Sequence, residues 1–172
     1  MTADEYVLAT GAWTPKLNEW IGASVPIQPG KGYSITYPRP GVCPTAPLAF
    51  MEQKVIATPF ASGYRLGSTM EFAGYDSTIN AERLGALKRG ASLYLKEPYC
   101  EPEQEQWYGW RPMTYDGKPV IDRSPAMSNV TVAAGHNMLG LSMGSATGKL
   151  VDEMLSDGEP HIDLKPFSIG RF

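Results

Sequence analysis

The sequence predicts an α+β protein: an antiparallel sheet with one covering helix, inserted into an incomplete α/β layer. Three observations carry this. The middle of the chain alternates apolar and polar residues with the period of two that a half-buried strand requires. Two short apolar runs, Tyr6–Ala9 and Val130–Ala134, lie near opposite ends and read as strands buried on both faces. A helical repeat fills much of the last third. Glycine (18) and proline (15) are both abundant, which favours short strands and turns over long helices.

The elements follow in order. Tyr6–Ala9 is the first strand. Thr14 is placed to cap a short helix, with Pro15 at its first position, Leu17, Trp20 and Ile21 on its apolar face and Gly22 at its end. Tyr33, Ile35 and Tyr37 mark a strand, and 54–60 another. Ala61-Ser62-Gly63 reads as a three-residue hairpin connection with glycine at a left-handed position. Tyr64, Leu66, Ser68, Met70 and Phe72 then alternate with polar or small neighbours. Residues 80–96 carry Leu84, Leu87, Ala91 and Tyr94 at helical spacing, so a helix covers the packed face of the sheet. Residues 97–106 are acidic, contain two prolines and form a surface loop. Residues 129–134 are a buried strand and 139–156 a helix with Met143, Ala146, Leu150 and Met154 as its apolar stripe, stopped by Asp157-Gly158. Residues 1–25 and 119–172 are thus expected to form one layer system and 26–118 the insertion.

Composition excludes several classes. A net charge of −3, with no Lys/Arg cluster, argues against a nucleic-acid partner. No apolar stretch has membrane-spanning length. Cys43 and Cys100 are far apart and lie in no metal or redox pattern, so neither a disulfide framework nor a metal site is expected, and the setting is a reducing one. The N-terminal residues are acidic and lack the shape of a signal peptide.

Two segments carry chemistry. Trp110-Arg111-Pro112 sets a permanently charged guanidinium among aromatics. A planar fork can hold a carboxylate by two parallel hydrogen bonds, which lysine cannot do. The alternative is a surface ion pair with the acidic residues of 97–106. Trp107, Tyr108 and Trp110 are walls of a water-excluding site or simply core aromatics. The second segment, Gly135 to Gly144, reads as a strand end turning sharply into a glycine-studded helix. Gly140, Gly144 and Gly148 share one helix face. Each costs roughly 1 kcal/mol relative to alanine, so something approaches that face closely, a backbone or a flat ligand. His136 at a strand end is more simply structural than a general base, and His161 lies in a polar tail. Glu71 faces a pocket or, more simply, solvent.

Five segments in register carry a resemblance: Val7 to Trp13, Pro29 to Ser34, Gly67 to Gly74, Trp110 to Ile121 and Ala134 to Gly140. Together they resemble the C-terminal part of an FAD-dependent oxidoreductase of the D-amino-acid oxidase family, above all its D-amino-acid dehydrogenase and glycine-oxidase branches. The resemblance implies that 26–118 is the substrate-binding domain and that 1–25 with 119–172 is part of the FAD-binding domain. The Gly-x-Gly-x-x-Gly half that cradles the diphosphate is expected to precede residue 1. It implies oxidative deamination of a D-amino acid or similar small amino acid, with oxygen or a membrane quinone as electron acceptor. Arg111 becomes the anchor of the substrate carboxylate. Thr10, Gly11, His136, Asn137, Met138, Leu139, Gly140, Leu141 and Ser142 become cofactor-binding. Backbone N–H groups at the start of the last helix would face the flavin edge that gathers negative charge.

FAD is expected to bind non-covalently, since no cysteine lies in 136–142. The chain alone is expected to lose it and to be inactive, so its partners are the missing half or a complementary chain, with self-association a further option. A cytoplasmic location is expected, with a peripheral place at the inner face of the membrane as the alternative. The competing reading is a non-catalytic module that binds a carboxylate or a partner chain.

Overall fold

A computed structural model describes residues 2–156 and 158–172. In chain order the strands and α-helices are β1 (Tyr6–Leu8), α1 (Asn18–Ile21), β2 (Gln28–Tyr37), β3 (Leu48–Phe50), β4 (Val55–Phe60), β5 (Gly63–Glu71), α2 (Ala81–Ser92), β6 (Glu105–Met113), β7 (Val120–Arg123), β8 (Val130–Ala134) and α3 (Gly140–Leu155). A seven-residue 3-10 segment occupies Gly11–Leu17, and single 3-10 turns occupy Lys165–Phe167 and Ile169–Arg171. The chain divides into two compact units, residues 1–29 with 111–172, and residues 30–110.

The first unit is built on a three-stranded sheet, ordered β1-β8-β7. β1 runs parallel to β8, with Tyr6 opposite Val130, and β7 runs antiparallel to it, with Val120 opposite Ala134. Every residue of β8 is buried. Its alternate side chains serve two cores, as the pleat dictates. Val132 and Ala134 pack with Ile21, Val25, Ile27, Val120 and Ile169; Ala133 packs with Ile121, Leu150 and Val151.

β1 departs from the expected buried strand. Tyr6 and Val7 are exposed, because β1 is an edge that pairs only with β8. Thr14 is not an N-cap either. It is buried inside the 3-10 turn, where its hydroxyl donates to the Gly11 carbonyl at 2.9 Å. Trp20 lies outside the core, 71% exposed, whereas Ile21 is fully buried. Gly22 does end α1, at φ 73°, and a Cβ there would stand 2.5 Å from that of Ala126. Of the expected stripe on α3 only Leu150 is buried, joined by Val151. Asp157 lies outside the described residues. The C-terminal turn folds back onto this unit. Ser168 Oγ and Ile169 N–H each donate to Asp122 at 2.8 Å, and Arg171 donates to Asp116 at 2.8 Å.

The second unit centres on a five-stranded sheet, ordered β3-β4-β5-β2-β6. β3, β4, β5 and β2 are antiparallel neighbours. One face carries Tyr33, Ile35, Tyr37, Val55, Ala57, Tyr64 and Leu66 against Leu84, Leu87 and Ala91 of α2. The helix begins where Asn80 Oδ1 accepts hydrogen bonds from the N–H groups of Glu82 and Arg83. It ends at Ser92, short of Lys96, and leaves Tyr94 exposed.

The hairpin between β4 and β5 is tighter than expected. Phe60 pairs with Gly63, so only Ala61 and Ser62 form the connection. The alternation of β5 breaks at Ser68 and Thr69, which take φ values of 106° and 45° where the register against β2 shifts. Such a bulge re-aims the side chains beyond it.

This unit also buries a cation. Lys31 is fully buried and donates to the carbonyls of Asp76 and Thr78, both at 2.9 Å, and to the Asp76 carboxylate at 3.1 Å. Glu71 stands 3.5 Å away and also accepts hydrogen bonds from the Tyr33 hydroxyl and from Asn80. Glu71 therefore belongs to an ion network, rather than to a solvated face. Burial opposes the charge on Lys31, yet its hydrogen-bonding partners hold its pKa above the ordinary lysine value.

Candidate active site in the first unit

The glycine turn begins at the end of β8. Gly135 has φ 81°, and a Cβ on it would lie 2.8 Å from the Thr114 methyl. Only glycine meets both demands. Asn137 follows at φ 56°, a left-handed conformation that asparagine tolerates because its amide can bond locally. Here it does. Asn137 Oδ1 accepts from the Thr114 N–H at 3.0 Å, and Nδ2 donates to Thr114 Oγ1 at 3.1 Å and to the Gly135 carbonyl at 3.0 Å. The Asn137 N–H donates to the Pro112 carbonyl at 3.1 Å. The strand end bearing Arg111 therefore lies against the turn that opens α3.

α3 starts without a side-chain cap. Its first N–H groups have no intrahelical carbonyl to meet, and the 16-residue helix carries partial positive charge at that end. Met138, Leu139 and Leu141 are exposed there, Leu141 almost completely at 99%.

Beside this turn lies a cleft of about 410 Å³, whose lining includes Val7, Gly11, Pro112, His136, Gly140, Gly144, Thr147 and Gly148. Gly144 and Gly148 have no atom within 4 Å of where a Cβ would stand. Gly11 has φ 55° and similarly open space. The glycine row on α3 therefore faces a hollow, and no backbone of the described residues crosses it.

His136 shares a hydrogen bond with Thr147 at 2.9 Å, between Nε2 and the hydroxyl. Burial pushes its pKa below the ordinary histidine value, so the ring is neutral at pH 7. Arg111 is partly buried, and that burial lowers its pKa. A guanidinium remains cationic at neutral pH even so.

Of the residues singled out from sequence, Gly11, His136 and Gly140 meet in the cleft, and Arg111 directly precedes lining Pro112. Met138, Leu139, Leu141 and Ser142 lie at the exposed mouth of α3. Thr10 is turned to Thr14, hydroxyl to hydroxyl at 2.9 Å. The amide of Asn137 is taken up by Thr114 and Gly135. Thr114 and Thr147 escaped the sequence reading, because the spacing of 23 residues to Asn137 and 11 to His136 leaves no local signal. No cluster of three or more His, Cys, Asp or Glu among the described residues is arranged to hold a metal ion.

Residues 1–154 match the model of a protein family described as FAD dependent oxidoreductase. The chain belongs to that family.

Over its whole length it is 34% identical to a D-amino acid dehydrogenase of Granulibacter bethesdensis and 32% identical to one of Bradyrhizobium diazoefficiens. It spans 41% of the length of each. The crystal structure of glycine oxidase from Geobacillus kaustophilus superposes with a TM-score of 0.89 at 27% identity, covering 100% of this chain and 46% of that one. The fold is therefore that of the FAD-dependent oxidases, as the sequence led one to expect. The site's chemistry fits the family's cofactor: an uncapped helix start and a row of bare glycines suit a flat group that gains negative charge on reduction. No helix among the described residues is long and apolar enough to cross a membrane.

Proposed function

We propose that this chain is the C-terminal part of a flavin-dependent amine oxidoreductase that deaminates a D-amino acid or a similar small amino acid. The observation that carries this reading is the hydrogen-bonded crossing of Pro112 and Asn137, which sets the Arg111 strand beside the uncapped start of α3. The names of the two dehydrogenase relatives support the substrate class. A bound FAD would supply the acceptor for the hydride that leaves the substrate Cα.

The chain's own residues do the rest. Arg111 holds the α-carboxylate through two parallel charge-assisted hydrogen bonds and so orients the Cα–H. The first N–H groups of α3, those of residues 140–142, would present positive potential to a ring edge that gains negative charge, while the Leu139 N–H is held by the His136 carbonyl at 3.0 Å. Gly11, Gly140, Gly144 and Gly148 let a flat group approach closely, and Met138, Leu139 and Leu141 exclude water around it. His136 stays neutral and acts as no base; an amine already deprotonated needs none. Binding of FAD is non-covalent. We assign the sheet unit, bounded from sequence at 26–118 and compact over 30–110, to the substrate-binding domain and the other unit to the FAD-binding domain. A cytoplasmic setting is part of this reading.

The test uses the FAD-reconstituted protein with its N-terminal half supplied. D-alanine should reduce the flavin, and Arg111→Ala should lower kcat/KM by about a hundredfold or more, the loss expected when a buried charged contact to substrate is removed. Unchanged turnover in Arg111→Ala would refute the anchor. The 172-residue chain alone should purify without yellow colour; a retained flavin spectrum would refute its dependence on the other half.

One observation favours a second reading, a non-catalytic binding module. A second hollow of about 300 Å³ on the first unit is lined by Tyr6, Leu8, Leu17, Trp20 and Val130. Beside the open β1 edge it suits a covering chain. Calorimetry with D-alanine separates the two readings: Arg111-dependent binding with no turnover after reconstitution favours the module.

A further inference from the structure

Asn137 does more than its place in a cofactor-facing segment requires. It is a non-glycine residue in a left-handed conformation, and both ends of its amide are used. Three of its four contacts reach Pro112 and Thr114, more than 20 positions away in sequence. The receiving side is fixed as well. Thr114 is buried, its hydroxyl donates to the Lys118 carbonyl at 2.9 Å, and its methyl fills the space left by the missing side chain of Gly135. The crossing is thus a closed staple between the strand end that carries Arg111 and the turn that opens α3.

We infer that Asn137 is a positioning residue, which fixes the Arg111 strand in register with the first turn of α3. This rests on the proposed roles of Arg111 and of residues 140–142. If those two features grip the two reacting parties, their relative placement must be held to a fraction of an ångström, since a displacement of about 1 Å costs on the order of a hundredfold in rate. Among the described residues, the backbone bond that joins the two segments is the one from Asn137 N–H to the Pro112 carbonyl. One such bond leaves a hinge. The side-chain bonds to Thr114 remove that freedom. The Asn137 amide is taken up by protein partners on both its oxygen and its nitrogen.

The experiment uses the FAD-reconstituted holoenzyme. Asn137→Gly keeps the left-handed backbone and removes the staple; Thr114→Val keeps the buried shape and the methyl but removes the hydroxyl partner. Propionate, a carboxylate with no amine to oxidise, is titrated by its effect on flavin absorbance, and KM and kcat are measured with D-alanine.

Asn137→Gly should raise the propionate Kd and the D-alanine KM by about tenfold each, in the same ratio, a size in keeping with a sub-ångström misplacement. Thr114→Val should do the same more weakly. The double variant should lose less than the product of the two single losses, because both break one device. Amide exchange at Thr114 should speed up in Asn137→Gly.

Unchanged propionate binding and KM in Asn137→Gly, with Arg111→Ala abolishing both, would overturn the inference and leave the proposed function standing. Unchanged propionate binding in Arg111→Ala would overturn the proposed function itself. A loss confined to melting temperature, or losses that multiply independently, would show Asn137 to be structural only.

Discussion

Both units bury a core and both leave apolar side chains in solvent, Leu93 and Phe72 in one and Trp20 and Leu141 in the other. They differ in where they keep their polar groups and their open space. In the sheet unit Tyr33, Ile35, Tyr37, Tyr64, Leu66 and Leu87 are all essentially inaccessible. In the other, Trp20, Met138, Leu139 and Leu141 stand in solvent, and the edge strand β1 is open. One unit has turned its chemistry inward, even closing a cation among acceptors. The other keeps two half-cores around β8 and leaves the glycine face of α3 without a neighbour. Stability and function are therefore separable here: substitutions in the first region should act on folding, those on the cleft side of the second on what it holds.

The largest expected effect is Leu66→Ala, which removes a fully buried side chain from the sheet core and should cost about 2–5 kcal/mol in urea unfolding. A loss below about 1 kcal/mol would mean that the core is less closed than its burial implies.

Next comes Lys31→Met, which strands Asp76 and Glu71 without their cation. A buried pair broken on one side costs about 3–5 kcal/mol. The Asp76 side chain is 45% exposed, so water offsets part of this and the lower end is expected.

The same cluster gives a pH prediction. Asp76 is held down to about 2, first by the backbone N–H and hydroxyl of Thr78 and then by Lys31. Glu71 is also lowered, chiefly by the Tyr33 hydroxyl and Asn80. Acids depressed in the folded state stabilise it above their unfolded values, near 4, and that contribution is lost as pH falls through the folded ones. Wild type should lose stability steadily below pH 4, and Lys31→Met should lose less over the same range. Parallel acid limbs in the two proteins would remove Lys31 from the account.

The smallest effect should also have the opposite sign. Gly148→Ala adds a methyl into open space on α3 and should stabilise the isolated chain by up to about 1 kcal/mol. In the reconstituted enzyme the same methyl should weaken FAD retention. Tight FAD binding by that variant would show that the cleft holds nothing flat against α3.

Much of this was legible from the chain. The alternation around Tyr33, Leu66 and their neighbours located the sheet, and Leu84, Leu87 and Ala91 located the helix on it. Five segments in register located the family. Local pattern failed where a distant partner decides. Nothing near Lys31 announces acceptors some 45 residues away, and no spacing rule ties Asn137 to Thr114. β1 looked buried because its composition is apolar, but exposure is set by how many strands flank it, which a single run cannot report. Thr14 looked like a cap because Thr-Pro usually begins a helix; the chain was already turning at Gly11.

The bare face of α3 has an evolutionary corollary. A side chain at Gly144 or Gly148 would meet no neighbour outside the helix, so selection for folding alone would replace them with better helix formers. On the proposed function, selection retains them only while a bound group needs the room. A descendant of this lineage that had abandoned its redox role should show alanines there before any other change, and that erosion would be readable in the gene long before the fold itself decayed.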